Sequence, residues 1–267
     1  MNCPACSLPR VVPDFSTPRL EVRRCRDCGH RVARHELSRP LQDYHAQYDQ
    51  GAFLDALKAT RIRQARRILP WIRAAVPEAK QLFDFGCGRG WFLDEAKAAG
   101  WEVIGADTSA LAVQMLRDRG IEALNLDRPL ETEVLTLLDV IEHFPPDELL
   151  PWLSEARAKL VVIKVPTSDG LLYRLARGRA LEQLYQVGTD PPHFHYFNER
   201  SLRRVLDRAG FAVLALHRDR DFEPSTIAAR AGLHVPLASV GGALAAAAVS
   251  VLAMEDSLIC LARPRVS

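Results

Sequence analysis

The chain has 267 residues, 48% of them hydrophobic and 25% charged, with a formal net charge of +2. That is the composition of a soluble globular protein able to bury a real core, and a dedicated nucleic-acid enzyme would carry a larger basic surplus. The charge is uneven: residues 1–80 hold 15 Lys and Arg against 8 Asp and Glu, and the rest hold 20 against 25. Met1 runs straight into Asn2-Cys3-Pro4 with no apolar stretch, so export is not expected and a cytoplasmic location with reduced thiols is.

Reduced, clustered cysteines favour metal over disulfides. Cys3 and Cys6 form one C-x-x-C pair and Cys25 and Cys28 a second, with eighteen residues between them. Two such knuckles aim four thiolates at one point and complete a tetrahedral, structural zinc site. Residues 1–36 are therefore expected to be a small zinc ribbon, with Leu20–Cys25 a strand leading into the second knuckle. So few apolar residues could hardly fold without the metal. Cys87 and Cys260 read as core residues.

Residues 37–80 read as a helical connector, with Tyr44 and Tyr48 one helical turn apart. A helix is expected over Phe53–Ile72, apolar at Leu54, Leu57, Ile62, Ala65, Ile68 and Leu69, arginine-lined on its other side, and closed by Pro70 and Pro77. From Gln81 strands and helices alternate. Strands are expected at Gln81–Gly86, Trp101–Asp107, Ile121–Leu124, Val134–Asp139, Leu160–Val165, Phe211–His217 and Ser257–Arg263. Helices are expected at Trp91–Ala99, Ser109–Arg119, Asp147–Lys159 and Glu199–Ala209. This alternation implies a doubly wound, mostly parallel seven-stranded sheet, with ligands beyond the carboxyl ends of its strands. A lid is expected over about 167–197 and an apolar helical insertion over about 222–254. Val235–Met254 is uncharged for twenty residues, which raises contact with a membrane or a hydrophobic substrate, although Pro236, Gly241 and Gly242 argue against a spanning helix.

The glycine loop Asp84-Phe-Gly86-Cys87-Gly88-Arg-Gly90, followed one strand later by Asp107, decides the ligand class. The spacing lacks the G-x-G-x-x-G of dinucleotide enzymes, because position 91 is Trp. It resembles the first motif of class I S-adenosylmethionine-dependent methyltransferases. That resemblance runs from about Gln81 to Arg263 and implies a Rossmann-like methyltransferase domain. It also implies that Asp84, Gly86, Cys87, Gly88, Gly90, Asp107, Thr108 and Asp139 bind the cofactor, with Asp107 on the ribose and Tyr44 or Tyr48 covering it.

On the acceptor side, Asp139-Val-Ile-Glu142-His143 resembles a segment of small-molecule methyltransferases, including the ubiquinone-biosynthesis O-methyltransferases. Asp190-Pro-Pro-His193-Phe-His195 before an expected helix resembles the segment that closes their active sites. Glu142, His143 and His193 are the expected catalytic residues, with His143 as a base for an acceptor hydroxyl. The same segments resemble methyltransferases of small-RNA 3′ ends, which implies a second divalent metal at Asp139, Glu142, His143 and His193. The expected activity is methyl transfer to a small-molecule acceptor, O-methylation foremost. An RNA methyltransferase using the zinc module to bind RNA, and a non-catalytic scaffold, stay open as alternatives.

Overall fold

A computed structural model describes residues 1–35, 51–169, 191–219 and 257–265. Tyr44 and Tyr48, most of the expected lid and the expected apolar insertion lie outside the described residues. Among the described residues, no helix is long and apolar enough to cross a membrane.

The larger sheet has seven strands. In chain order they are β4 (Gln81–Phe85), β5 (Glu102–Asp107), β6 (Glu122–Asn125), β7 (Thr132–Leu138), β8 (Ala158–Pro166), β10 (Phe211–Asp219) and β11 (Ser257–Pro264). Their spatial order is β10-β11-β8-β7-β4-β5-β6. β4 to β8 run parallel, and β11 lies antiparallel to β8 and to β10. The doubly wound sheet expected from the alternating pattern is the one observed.

Period-two alternation in the central strands sends neighbouring side chains to opposite faces. Leu82, Val134, Leu160 and Val162 join Ile68, Leu69, Ile72, Leu93 and Leu116 on one face. There lie α1 (Gly51–Ala75), α2 (Trp91–Ala98) and α3 (Ala110–Arg117). Phe83, Leu135, Leu137, Val161 and Ile163 meet Leu153, Leu202, Val205 and Leu206 on the other. That face carries α4 (Leu149–Glu155) and α5 (Glu199–Arg208). Covered on both sides, β4, β7 and β8 are buried nearly throughout.

Two helices depart from expectation. Pro70 does not close α1; it lies inside the helix, which continues to Ala75. Proline removes one helical hydrogen bond and costs about 3 kcal/mol, but buried Ile68, Leu69 and Ile72 straddle it and hold both sides to the sheet. Arg73 fastens the far end, donating to the Ala79 carbonyl at 2.6 Å and lying 3.7 Å above the Trp101 ring. α4 is shorter than the expected Asp147–Lys159, because Ala158 and Lys159 already belong to β8, with Thr132 paired to Ala158.

A second, antiparallel sheet joins β1 (Val11–Thr17), β2 (Leu20–Cys25), β3 (Arg31–His35) and β9 (His195–Tyr196) in that order. The first three strands form the cysteine module, whereas β9 comes from the segment just before α5. A two-residue strand leaves no periodicity to read, so this join is not foreseen from sequence.

Candidate active site and metal centre

The four N-terminal cysteines converge. Cys3 Sγ lies 3.5 Å from Cys28 Sγ and Cys6 Sγ 3.6 Å from Cys25 Sγ. All four sulfurs fall within 4.8 Å of one another. A tetrahedral zinc with bonds of about 2.3 Å needs sulfurs roughly 3.8 Å apart, so the spacing fits. Each knuckle turns the way a metal site needs: Ser7 N–H donates to the Cys3 carbonyl at 2.8 Å and Gly29 N–H to the Cys25 carbonyl at 3.0 Å. Backbone N–H groups of Ala5 and Cys6 face the Cys3 sulfur, and that of His30 faces Cys28. Such donors stabilise thiolates.

The glycine loop leaves β4 and enters α2. Gly86, Gly88 and Gly90 all have positive φ, at 74°, 51° and 71°. At Gly86 a Cβ would stand 2.5 Å from Val140 Cγ2, so both conformation and space demand glycine there. The loop is tied to the next strand by Gly86 and Cys87 N–H groups, which both donate to the Ala106 carbonyl. Asp107 ends β5 half-buried and accepts from Gly88 N–H and Ser109 N–H, each at 2.9 Å. These bonds hold its carboxylate beside the glycine loop and leave it further lone pairs. Thr108 next to it is exposed, and its carbonyl accepts from Asn125. The Cys87 side chain is buried in the core facing Gly105, so only its backbone borders the loop. Asp84 is buried and takes a 2.5 Å hydrogen bond from Thr136. Burial pushes its carboxyl up to about 7, against the Thr136 bond and with help from the Asp107 charge.

Beyond the carboxyl end of β7 the chain turns sharply, with Asp139 in the left-handed region at φ 57°. The single 3-10 turn Ile141–His143 follows. Its residues meet the remote segment 191–196: Phe194 N–H donates to the Glu142 carbonyl at 2.8 Å, and His143 Nδ1 pairs with the Pro192 carbonyl at 3.1 Å. A carbonyl can only accept, so His143 carries its proton on Nδ1 and presents Nε2 as a lone pair. The His143 and His193 rings lie edge to face with centroids 4.5 Å apart. Burial lowers the pKa of both imidazoles and keeps them neutral. Glu142 is fully buried, and among the described residues neither of its carboxylate oxygens has a hydrogen-bond partner. One ligand atom each from Glu142, His143 and His193 fall within 4.8 Å of one another. Three such donors, one carboxylate and two neutral imidazoles, form a set able to hold a divalent cation.

A methyltransferase-domain family model matches residues 57–216, more than half of the sequence. The chain belongs to that methyltransferase family. No protein of curated function matches it. Among solved structures, a SAM-dependent methyltransferase from Archaeoglobus fulgidus aligns with a TM-score of 0.54 at 18% identity, over 80% of this chain and 100% of that one. Magnesium protoporphyrin IX methyltransferase from Synechocystis PCC 6803, with bound SAH, aligns at 0.51 and 15% identity, over 79% and 86%. The methyltransferase domain of the bacterial protein CtHen1-C aligns at 0.52 and 14%, over 78% and 100%. At these identities the likeness establishes the fold, that of the S-adenosylmethionine-dependent methyltransferases.

Within this methyltransferase, one expected grouping needs correction. Asp139 is not among the donors that converge at Glu142, His143 and His193, although it lies near enough for its charge to act on all three. Its carboxylate takes bonds of 2.7 and 2.9 Å from Lys164 Nζ and pairs with Arg61 of α1. Burial would raise its pKa, but the two cations overcome that and hold it ionised. A carboxylate so neutralised has little charge left for a metal. Sequence reasoning missed Arg61, Lys164, His30, His35 and Asn198. Lys164 had a visible signal, as the one charge inside Val161-Val-Ile-Lys-Val165, where a buried lysine needs a partner. The histidines gave none, because their partners lie about 160 positions away.

Proposed function

We propose that this methyltransferase transfers the S-adenosylmethionine methyl group to an oxygen of a small-molecule acceptor. The observation that carries this reading is the orientation of His143, whose Nδ1–H is fixed on the Pro192 carbonyl so that Nε2 remains a bare, neutral acceptor. S-adenosylmethionine brings an already activated methyl carbon, so the protein's task is alignment, together with removal of the acceptor's proton. In this reading the backbone of Gly86 to Gly90 lies along the cofactor and Asp107 accepts the ribose hydroxyls. His143 Nε2 takes the hydroxyl proton, and His193 lines the acceptor's other side. Asp84 and Asp139 act through the loop and the turn that they anchor. The four N-terminal cysteines hold a structural zinc.

The orphaned Glu142 favours a second arrangement of the same site. A fully buried carboxylate with two unpartnered oxygens is costly, and a divalent cation shared with His143 and His193 would satisfy it. The Pro192 carbonyl behind His143 is the kind of outer partner that fixes a ligand's tautomer. Such a cation would lower the pKa of an acceptor hydroxyl.

Calorimetric titration with S-adenosylhomocysteine tests the cofactor half: wild type is expected to bind at micromolar affinity, and Asp107→Ala to lose at least about tenfold, the worth of a charge-assisted hydrogen bond. Metal analysis of the same samples is expected to give one zinc in both. A second metal lost in Glu142→Gln selects the cation arrangement. Wild type that fails to bind would sink the methyltransferase reading.

A further inference from the structure

The cysteine module and the acceptor-side segment are joined by specific bonds. β3 pairs with β9 in the register Arg31 to Tyr196 and Val32 to His195. Ala33 N–H donates to the Phe194 carbonyl at 2.8 Å, and His35 Nε2–H to the His193 carbonyl at 2.6 Å. His30 lies two residues beyond Cys28, with its backbone N–H on the Cys28 sulfur. Its ring is buried and its Nε2 meets His195 Nδ1 at 3.0 Å. At the end of the segment, Asn198 Nδ2 donates to the Cys28 carbonyl at 3.1 Å while its Oδ1 caps α5 through Ser201 N–H at 2.9 Å. Arg31 also reaches across to the Ser168 carbonyl at the end of β8.

The carbonyls of residues 193 and 194 are thus both taken up by β3, and both ends of 193–198 reach the Cys25–Cys28 knuckle or the strand leaving it. The 3-10 turn holds Phe194 N–H on the Glu142 carbonyl, whereas the carbonyls of His193 and Phe194 are held from the module's side. None of these bonds reaches β4, β5 or β6, where the glycine loop and Asp107 stand.

We propose that His30, His35 and Asn198 are positioning residues through which the metal-organised knuckle Cys25–Cys28 sets the place of His193, so that the N-terminal module forms the outer wall of the acceptor site. The four thiolates fix the knuckle, the knuckle fixes His30 and the Cys28 carbonyl, and these fix the segment that carries His193. Metal loss then loosens one half of the active site and leaves the cofactor half standing. This inference takes from the functional reading only the assignment of His193 to the acceptor side.

Hydrogen-exchange mass spectrometry on the full chain tests it, comparing zinc-loaded protein with protein stripped by a thiol-displacing mercurial and a chelator. S-adenosylhomocysteine affinity is measured on both. Stripping is expected to raise exchange at the amides of residues 194–197 by about tenfold or more, as when a protecting hydrogen bond is lost. Affinity for S-adenosylhomocysteine is expected to stay within about threefold, as for sites that share no partners. His30→Ala and Asn198→Ala, with zinc retained, are expected to reproduce the local exchange in part. Unchanged protection of 194–197 in both the stripped protein and the variants would overturn the proposal. Exchange rising throughout β4–β8 with S-adenosylhomocysteine binding lost would also overturn it, because the metal would then support the whole fold. Native protein that never binds S-adenosylhomocysteine would instead refute the functional reading, while the exchange comparison stood.

Discussion

Two acids on adjacent parallel strands show how differently the halves of this site are built. Asp84 on β4 is buried with a threonine for company and is pushed toward neutrality. Asp139, just past the end of β7, is also buried, yet Lys164 and Arg61 keep it charged. The half proposed for the cofactor is assembled from neighbours in sequence: the glycine loop, the strand before it and Asp107 lie within 27 residues, Gln81 to Asp107. The half proposed for the acceptor draws on α1, β8, the 3-10 turn, residues 191–198 and the N-terminal module. Local assembly leaves a motif, whereas remote assembly leaves isolated polar residues whose purpose appears only when they meet.

The contrast can be broken hardest at Lys164. Lys164→Ala leaves Asp139 with Arg61 alone in a buried place, and removal of one partner from a buried pair costs about 3–5 kcal/mol. Urea unfolding is expected to show that loss. If S-adenosylhomocysteine affinity fell just as far, the halves would not be separable.

Asp84 sharpens the comparison through pH. Its ordinary value is 3.8 and its folded value about 7. Between these the unfolded chain has lost the proton and the folded chain keeps it, so its contribution to stability declines as pH rises from about 4 to about 7, by a few kcal/mol in all. Thermal midpoints across that window are expected to fall less steeply in Asp84→Asn; equal slopes would contradict the buried, neutral acid.

Gly86→Ala acts on the glycine loop and reaches the 3-10 turn only through Val140. Left-handed backbone and the clash with Val140 together cost about 1–3 kcal/mol. The variant is expected to fold and to lose S-adenosylhomocysteine binding in calorimetry. Retained binding would remove the loop from the cofactor site. The smallest effect is expected at Asn198, where loss of the cap in Asn198→Ala costs about 1 kcal/mol in thermal unfolding, with S-adenosylhomocysteine affinity unchanged.

Most of the fold was legible because the central strands carry two-faced apolar patterns and the glycines punctuate them. The four-cysteine centre was legible for the same local reason, since each knuckle fits within four residues. Glu142, His143 and His193 were readable as a set, and the fold brings them together. The exclusion of Asp139 from that set was not readable, because it depends on Lys164 and Arg61 arriving from elsewhere. Pro70 misled as a mark of the region's end because proline's local cost is visible in sequence and the packing that offsets it is not. His30 and His35 carry no mark in the sequence, and only the pairing of β3 with β9 shows what they touch.

That pairing makes spacing matter as much as residue identity. β9 is two residues long, and neighbouring residues of a strand face opposite ways. One residue inserted or deleted between His193 and Asn198 would exchange the outlooks of His195 and Tyr196 and carry His193 off its station. A survey of natural length variation should therefore find the interval from Cys28 to His35, and that from His143's partner Pro192 to Asn198, holding constant length even where side chains drift. The two stretches behave as opposing scales of a vernier, each meaningful only while the other keeps its count.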